Sequence, residues 1–162
     1  MSLKTQNLQK QLKLMRESKR KTYRDFNGDL TRIVVMAYNK DRRNPTFIEI
    51  NNKFSIYRST FEDKPILDVG PRLWQYKNEI TNRDEIFFLG DDFLEYINNQ
   101  GNSSDFNIQI LTQTLKQLYL SLTDPEKNIL WKYIGSLLSL YAQYSKIDRS
   151  IRTLTETIKT RI

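Results

Sequence analysis

Two groups of side chains in this 162-residue sequence have types and spacings that could do chemistry. The first is acidic: Asp84, Glu85, Asp91, Asp92 and Glu95. Asp91 and Glu95, four apart, would share a helix face, and carboxylate oxygens suit a hard cation. No EF-hand spacing accompanies them, and acidic side chains normally stay in water. The cluster therefore reads as a solvated acidic surface, with no metal. The second group is basic. Eight of the first 26 residues are Lys or Arg, opposed only by Glu17 and Asp25, which supplies +6 of a formal net charge of +7. Of these, Lys10, Lys13, Arg16, Lys19, Arg20, Lys21 and Arg24 are the candidates for binding an anionic partner. That partner could be a phosphate backbone, an anionic lipid surface or an acidic patch on another protein. A solvated tail is the plain alternative. Lys19-Arg20-Lys21 also reads as a short nuclear-localisation element.

Enzyme chemistry finds little to work with. The chain has no His, the commonest general base, and no Cys, which removes thiolate nucleophiles, disulfides and Cys-held metals. No Gly-x-Ser-x-Gly is present, and the five glycines are too scattered for a phosphate-cradling loop. The expectation is a protein that is not an enzyme and needs no cofactor. The longest apolar run is Ile33-Val34-Val35-Met36-Ala37-Tyr38, far short of the ~20 residues that span a bilayer. The first 30 residues lack the apolar stretch of a signal peptide. A soluble, intracellular protein, cytoplasmic or nuclear, is expected.

The elements that must position these residues read as helices. From Leu3 to about Phe26 there is no Pro or Gly. Leu8, Leu12 and Met15 fall at i, i+4, i+7, and the stripe resumes at Tyr23, Phe26, Leu30 and Ile33. Gly28 could mark a kink, and Pro45 requires the helix to end by Asn44. Residues 45–61 are ambiguous. Phe47, Ile50, Phe54, Tyr57 and Phe61 repeat at 3-4-3-4, but alternation with Asn51-Asn52 at a turn also fits a hairpin; the helical reading is adopted. Pro71 is expected at the first position of a helix through Leu73, Trp74, Lys77 and Ile80. An apolar knot, Ile86-Phe87-Phe88-Leu89, follows. The pairs Trp74/Tyr76 and Trp131/Tyr133 could stack on bases, but their helical neighbours assign them to the core.

The polar stretch Asn98–Asp105 is a loop. Beyond it, Ile110, Leu111, Leu115, Leu118, Tyr119 and Leu122 form a stripe started by Ser103 or Ser104 as N-cap. Thr123-Asp124-Pro125-Glu126 carries the signals of a second start: a Thr cap, Pro in the first turn and Glu in the capping-box position. A helical hairpin results. Last, Ile147, Ile151, Leu154, Ile158 and Ile162 make a narrow apolar edge at 4-3-4-4 spacing, among four threonines of low helix propensity. Such an edge suits contact with a partner helix or self-association; folding back onto the chain's own hairpin is the competing reading.

Two stretches carry a resemblance. Val69–Lys77 with Asp84–Phe88, and Leu122–Tyr144 centred on Ile129-Leu130-Trp131-Lys132-Tyr133-Ile134, resemble small α-helical proteins of nucleocytoplasmic large DNA viruses. The resemblance covers about 50 residues and carries over no functional residue. It implies a viral protein made in the infected cell and packaged in the virion. The combined expectation is all-α: about six helices, with an extended basic N-terminal helix and a C-terminal helical hairpin. It divides the chain into a basic arm (1–22), a helical domain (23–146) and an amphipathic C-terminal helix (147–162). The expected role is a non-catalytic structural or adaptor protein that engages protein partners through its two ends. A nucleic-acid-binding accessory protein is the alternative.

Overall fold

The computed structural model describes residues 2–90 and 108–161. The described residues are helices joined by short turns, with no strand among them. In chain order they are α1 (Leu3–Lys40), α2 (Pro45–Thr60), α3 (Lys64–Gln75), α4 (Lys77–Thr81), α5 (Ile86–Leu89), α6 (Ile108–Ser121) and α7 (Asp124–Arg161). The all-α expectation stands.

Helices α1 and α7 each hold 38 residues, about 57 Å at 1.5 Å per residue. They pair antiparallel over their whole length, in the most extensive contact among the described elements. Four contacts fix the register. The Lys40 ammonium donates to Glu126 at 2.8 Å, and Ser136 donates to Asp29 at 2.5 Å. Lys19 donates to Asp148 at 2.8 Å, and Leu12 clusters with Leu154 and Ile158. Around the inner half of this pair, α2 to α6 complete the main core, which includes Phe26, Ile33, Phe47, Ile50, Ile66, Leu118 and Leu130, all nearly inaccessible.

Local chemistry accounts for the element ends. Ser2 caps α1 by accepting from the Thr5 N–H. Asn44 accepts from the N–H groups of Thr46 and Phe47, and Pro45 follows as the first helical residue, where its missing N–H costs nothing. The stripe of Phe47, Ile50, Phe54 and Tyr57 is buried in α2, so the helical reading of 45–61 prevails over the hairpin, although Phe61 stays 39% exposed. Thr123 and Glu126 form the expected capping box: Glu126 accepts from the Thr123 N–H at 2.9 Å, and Thr123 accepts from the Glu126 N–H at 3.5 Å. Phe88 joins the apolar knot to the hairpin, stacked on Tyr119 at 4.6 Å and tilted on Trp131 at 4.7 Å.

Several expectations are corrected. The boundaries drawn at residues 22 and 146 fall inside continuous helices, because the two ends support each other. Helix α1 runs through Gly28 unbroken. Pro71 lies inside α3 and does not start a helix; Pro65 occupies the helix start. Trp131 is core as expected, but Trp74 is 41% exposed, since α3 turns Leu73 and Val69 inward instead. The suggested caps Ser103 and Ser104, and Asp91, Asp92 and Glu95 of the acidic group, lie outside the described residues. Of the rest of that group, Glu85 accepts from the Tyr119 hydroxyl at 2.7 Å, and Asp84 accepts from the Ile86 N–H. Burial, with the bond to Glu85, pushes the Tyr119 phenol up to about 12.

Gly70 is where α3 crosses α7. A Cβ there would overlap the Tyr141 ring, coming within 2.7 Å of its Cγ. Gly135, in the middle of α7, has nothing within 4 Å of the same position. Gly70→Ala should therefore destabilise by about 1–3 kcal/mol, as overpacking does. Gly135→Ala should stabilise by up to about 1 kcal/mol through helix propensity. Thermal melts of the two variants should shift in opposite directions.

Glu126 yields a pH dependence. Hydrogen bonds from Lys40, then from the Thr123 N–H and hydroxyl, hold its carboxyl down at about 2. A depressed carboxyl contributes stability above its unfolded value, near 4.5, and loses it as pH falls from there towards 2. In urea melts between neutral pH and pH 2, Glu126→Gln should lose stability at neutral pH and show a shallower acid decline. A parallel acid limb would contradict the assignment.

Candidate anionic-partner interface

From Lys19 outwards, α1 and α7 form a two-helix stalk with its own small core. Leu12, Leu154 and Ile158 are buried there, with Leu8, Met15 and Ile151 packed against them. Among the described residues only α1 and α7 contribute to it. This corrects the expectation for the C-terminal edge. Ile151, Leu154 and Ile158 are covered by the chain's own N-terminal helix, neither left for a partner helix nor folded on the hairpin. Ile147 is half-buried beside Met15 along the same seam, and Ile162 lies outside the described residues. Each stripe is narrow, and each closes the other.

Pairing the two ends also pools their charge. Residues 3–20 and 146–161 together hold eleven basic and three acidic residues, a net of +8; the rest of the chain holds fifteen basic and sixteen acidic. The whole charge surplus therefore sits on the stalk. The sequence reading missed the α7 share: Lys146, Arg149, Arg152, Lys159 and Arg161. Their signal was present in the sequence but was read only as polar spacing around the apolar edge.

The seven basic candidates do not act alike. Lys13, Arg16, Arg20 and Arg24 recur at 3-4-4 spacing, which aligns them along one side of α1. The first three line a groove of about 520 Å³ with Gln9, Leu12 and Glu17. Lys13 and Arg16 have no ion-pair partner among the described residues, nor has Lys10, exposed about one turn before Lys13. Arg20 and Arg24 share Glu62, at 3.9 and 3.5 Å. Such half-exposed pairs are worth only about 0–1 kcal/mol, so a stronger anion displaces them readily. Lys21 pairs with Asp25 at 2.7 Å, one turn away.

Lys19 differs from the other six. Its side chain is 28% exposed, bonded to Asp148 and 5.3 Å from the Tyr144 ring centroid. Burial works to lower its pKa, but the Asp148 hydrogen bond and the neighbouring negative charges prevail and raise it. The same hydrogen bond, against a smaller opposing effect of burial, keeps the Asp148 carboxyl below its ordinary value. Lys19 is thus a joint between main core and stalk, and its charge is spent internally. The threonines of α7 are explained as well. Thr153, Thr155 and Thr157 donate to carbonyls one turn back, and Thr160 donates to Thr157, so their hydroxyls are satisfied within the helix.

The described residues hold no cluster of three or more His, Cys, Asp or Glu that could bind a metal. No described helix is long and apolar enough to cross a membrane. No protein-family model, curated protein or solved structure matches the chain.

Because the two stripes cover each other, removing one should release the other. Deleting residues 1–18 should raise amide hydrogen exchange steeply across 147–161, while 124–145, packed on the main core, stay protected. Unchanged protection at 147–161 would mean that the C-terminal edge stands without α1.

Proposed function

We propose that this chain is a non-catalytic structural or adaptor protein whose cationic two-helix stalk docks an anionic partner. The observation that carries the reading is the segregation of charge: the stalk holds +8 while the remaining residues are close to neutral. Holding like charges together on two paired helices costs stability, and an anionic partner relieves that cost. Self-association through the stalk is disfavoured for the same reason. A nucleic-acid-binding accessory protein is the second reading, supported by the row Lys13, Arg16, Arg20 and Arg24, which could follow a phosphate backbone. The viral resemblance, which rests on sequence motifs alone, would make the chain a component made in the infected cell and carried in the particle.

Two triple variants of equal charge change test the proposal. Lys13→Glu, Arg16→Glu and Arg20→Glu reverse the stalk row. Arg42→Glu, Arg43→Glu and Lys132→Glu reverse exposed cations elsewhere. On immobilised heparin, the stalk variant should elute at markedly lower salt than the wild type, and the body variant should stay close to it. Equal losses would show net charge at work and would remove the stalk from the proposal.

A further inference from the structure

At the foot of the stalk, on the side of α7 turned away from α1, a cleft of about 220 Å³ is lined by Trp74, Tyr141, Ala142, Ser145 and Arg149. Trp74 is 41% exposed, an unusual state for the most costly apolar side chain to leave in water. Its ring leans on Tyr141 with centroids 6.2 Å apart and planes at 58°. Tyr141 is seated in turn against Gly70, where no larger residue fits. The aromatic wall is therefore backed by two packed helices. The small Ala142 leaves room in the cleft, and Ser145 offers a hydroxyl. Arg149 has no ion-pair partner among the described residues; Arg152, further along α7, is 78% exposed but paired with Asp148 at 2.9 Å. Lys77 places its ammonium 4.6 Å from the Trp74 centroid; it is exposed and on a flexible stem, so it can swing aside without disturbing the core.

We infer that this cleft takes an unpaired nucleobase of a single-stranded nucleic acid. Trp74 is the stacking platform, and Arg149 and Lys77 meet the flanking phosphates. The inference rests on the stalk's role as an anion-docking surface and names the anion. An aromatic platform beside a cationic track is the combination that single-strand binding uses, because every base has a π-face and every nucleotide a phosphate. A duplex keeps its bases stacked and could use the track but not the platform. The volume suits a ring, not a whole nucleotide, so the sugar and phosphate would lie outside, where the cations are. An acidic peptide bearing an aromatic residue is the nearest competitor. It would need its carboxylates placed beside the ring, whereas a nucleic acid carries its charge there by construction.

The protein's own fluorescence reports the event. It has two tryptophans, and Trp131 is buried against Phe88, so quenching by an added base reads Trp74. The wild type should be titrated against end-labelled single-stranded oligothymidylate, an abasic strand of the same length and a duplex of the same length, with affinity read from the anisotropy of the label and stacking from the quench. The oligothymidylate should quench and bind roughly five- to tenfold more tightly than the abasic strand, with the duplex close to the abasic value. Trp74→Leu should erase that preference and leave abasic-level affinity, and Arg149→Glu, which touches no core packing, should weaken oligothymidylate binding. Equal affinity for the base-bearing and abasic strands overturns the cleft while leaving the stalk's role intact. If the stalk triple reversal leaves all affinities unchanged but the base preference persists, the stalk reading fails and the cleft stands. Quenching by a Glu/Tyr copolymer with none by the oligothymidylate overturns the inference in favour of an acidic protein.

Discussion

The lengthwise pairing of α1 with α7 is the constraint on which the rest of the molecule depends. Neither helix is strongly apolar, and an isolated helix with one narrow stripe is marginal in water. Together they enclose two cores in line: a large one completed by α2 to α6 and a small one that, among the described residues, only the pair supplies. Apolar stripes alone would tolerate a slip by one turn. Polar contacts oppose it, because Lys40 with Glu126, Asp29 with Ser136 and Lys19 with Asp148 meet in one register only. Asp29 is nearly buried; a slip would take the Ser136 donor from one of its oxygens and leave it only Arg32 on its own helix, a loss of about 1.5–3 kcal/mol for a hydrogen bond to a charged group. Specification of register is the best-attested use of such buried polar contacts.

The same pairing makes an electrostatic object that neither end makes alone. Each segment by itself is moderately basic; side by side they concentrate the surplus on a two-helix rod. Such a surface is exposed to salt, and its attraction for anions falls off over about 10 Å at 0.1 M ionic strength. Binding should therefore be fast in forming and readily adjusted by ionic conditions. Permanent attachment would need something more, and an aromatic platform at the rod's base supplies contact of a kind that salt does not screen.

How much of this could be read from the sequence depended on whether a signal was local. The start of α7 was legible because Thr123, Pro125 and Glu126 act within one turn. In α2 the repeat of Phe47, Ile50, Phe54 and Tyr57 competed with a period-2 alternation, and their burial on one helix face decided between the two. The mutual cover of Leu12 and Leu154 was not legible. A stripe states that something must lie on it and does not name what, least of all across more than a hundred residues. The basic row was half legible: the spacing of Lys13, Arg16, Arg20 and Arg24 was present, but the inward turn of Lys19 depends on Asp148 at the other end of the chain. Trp74 was misplaced because it adjoins Leu73, which does face inward. Adjacent helical positions are 100° apart, and periodicity judged over a short helix blurs that difference.

Antiparallel pairing in this register brings Leu3 and Arg161 to the same tip of the stalk. A load pulling those two residues apart would act across the pair and not along it. The contacts would then break one after another, first at Ile158 and Leu154 and next at the Lys19–Asp148 joint, instead of resisting together. The stalk is thus a zipper under transverse tension, opening at low force and closing again from the main core outwards. An attachment made along its flank would clamp both helices at once and turn a peeling geometry into a shearing one.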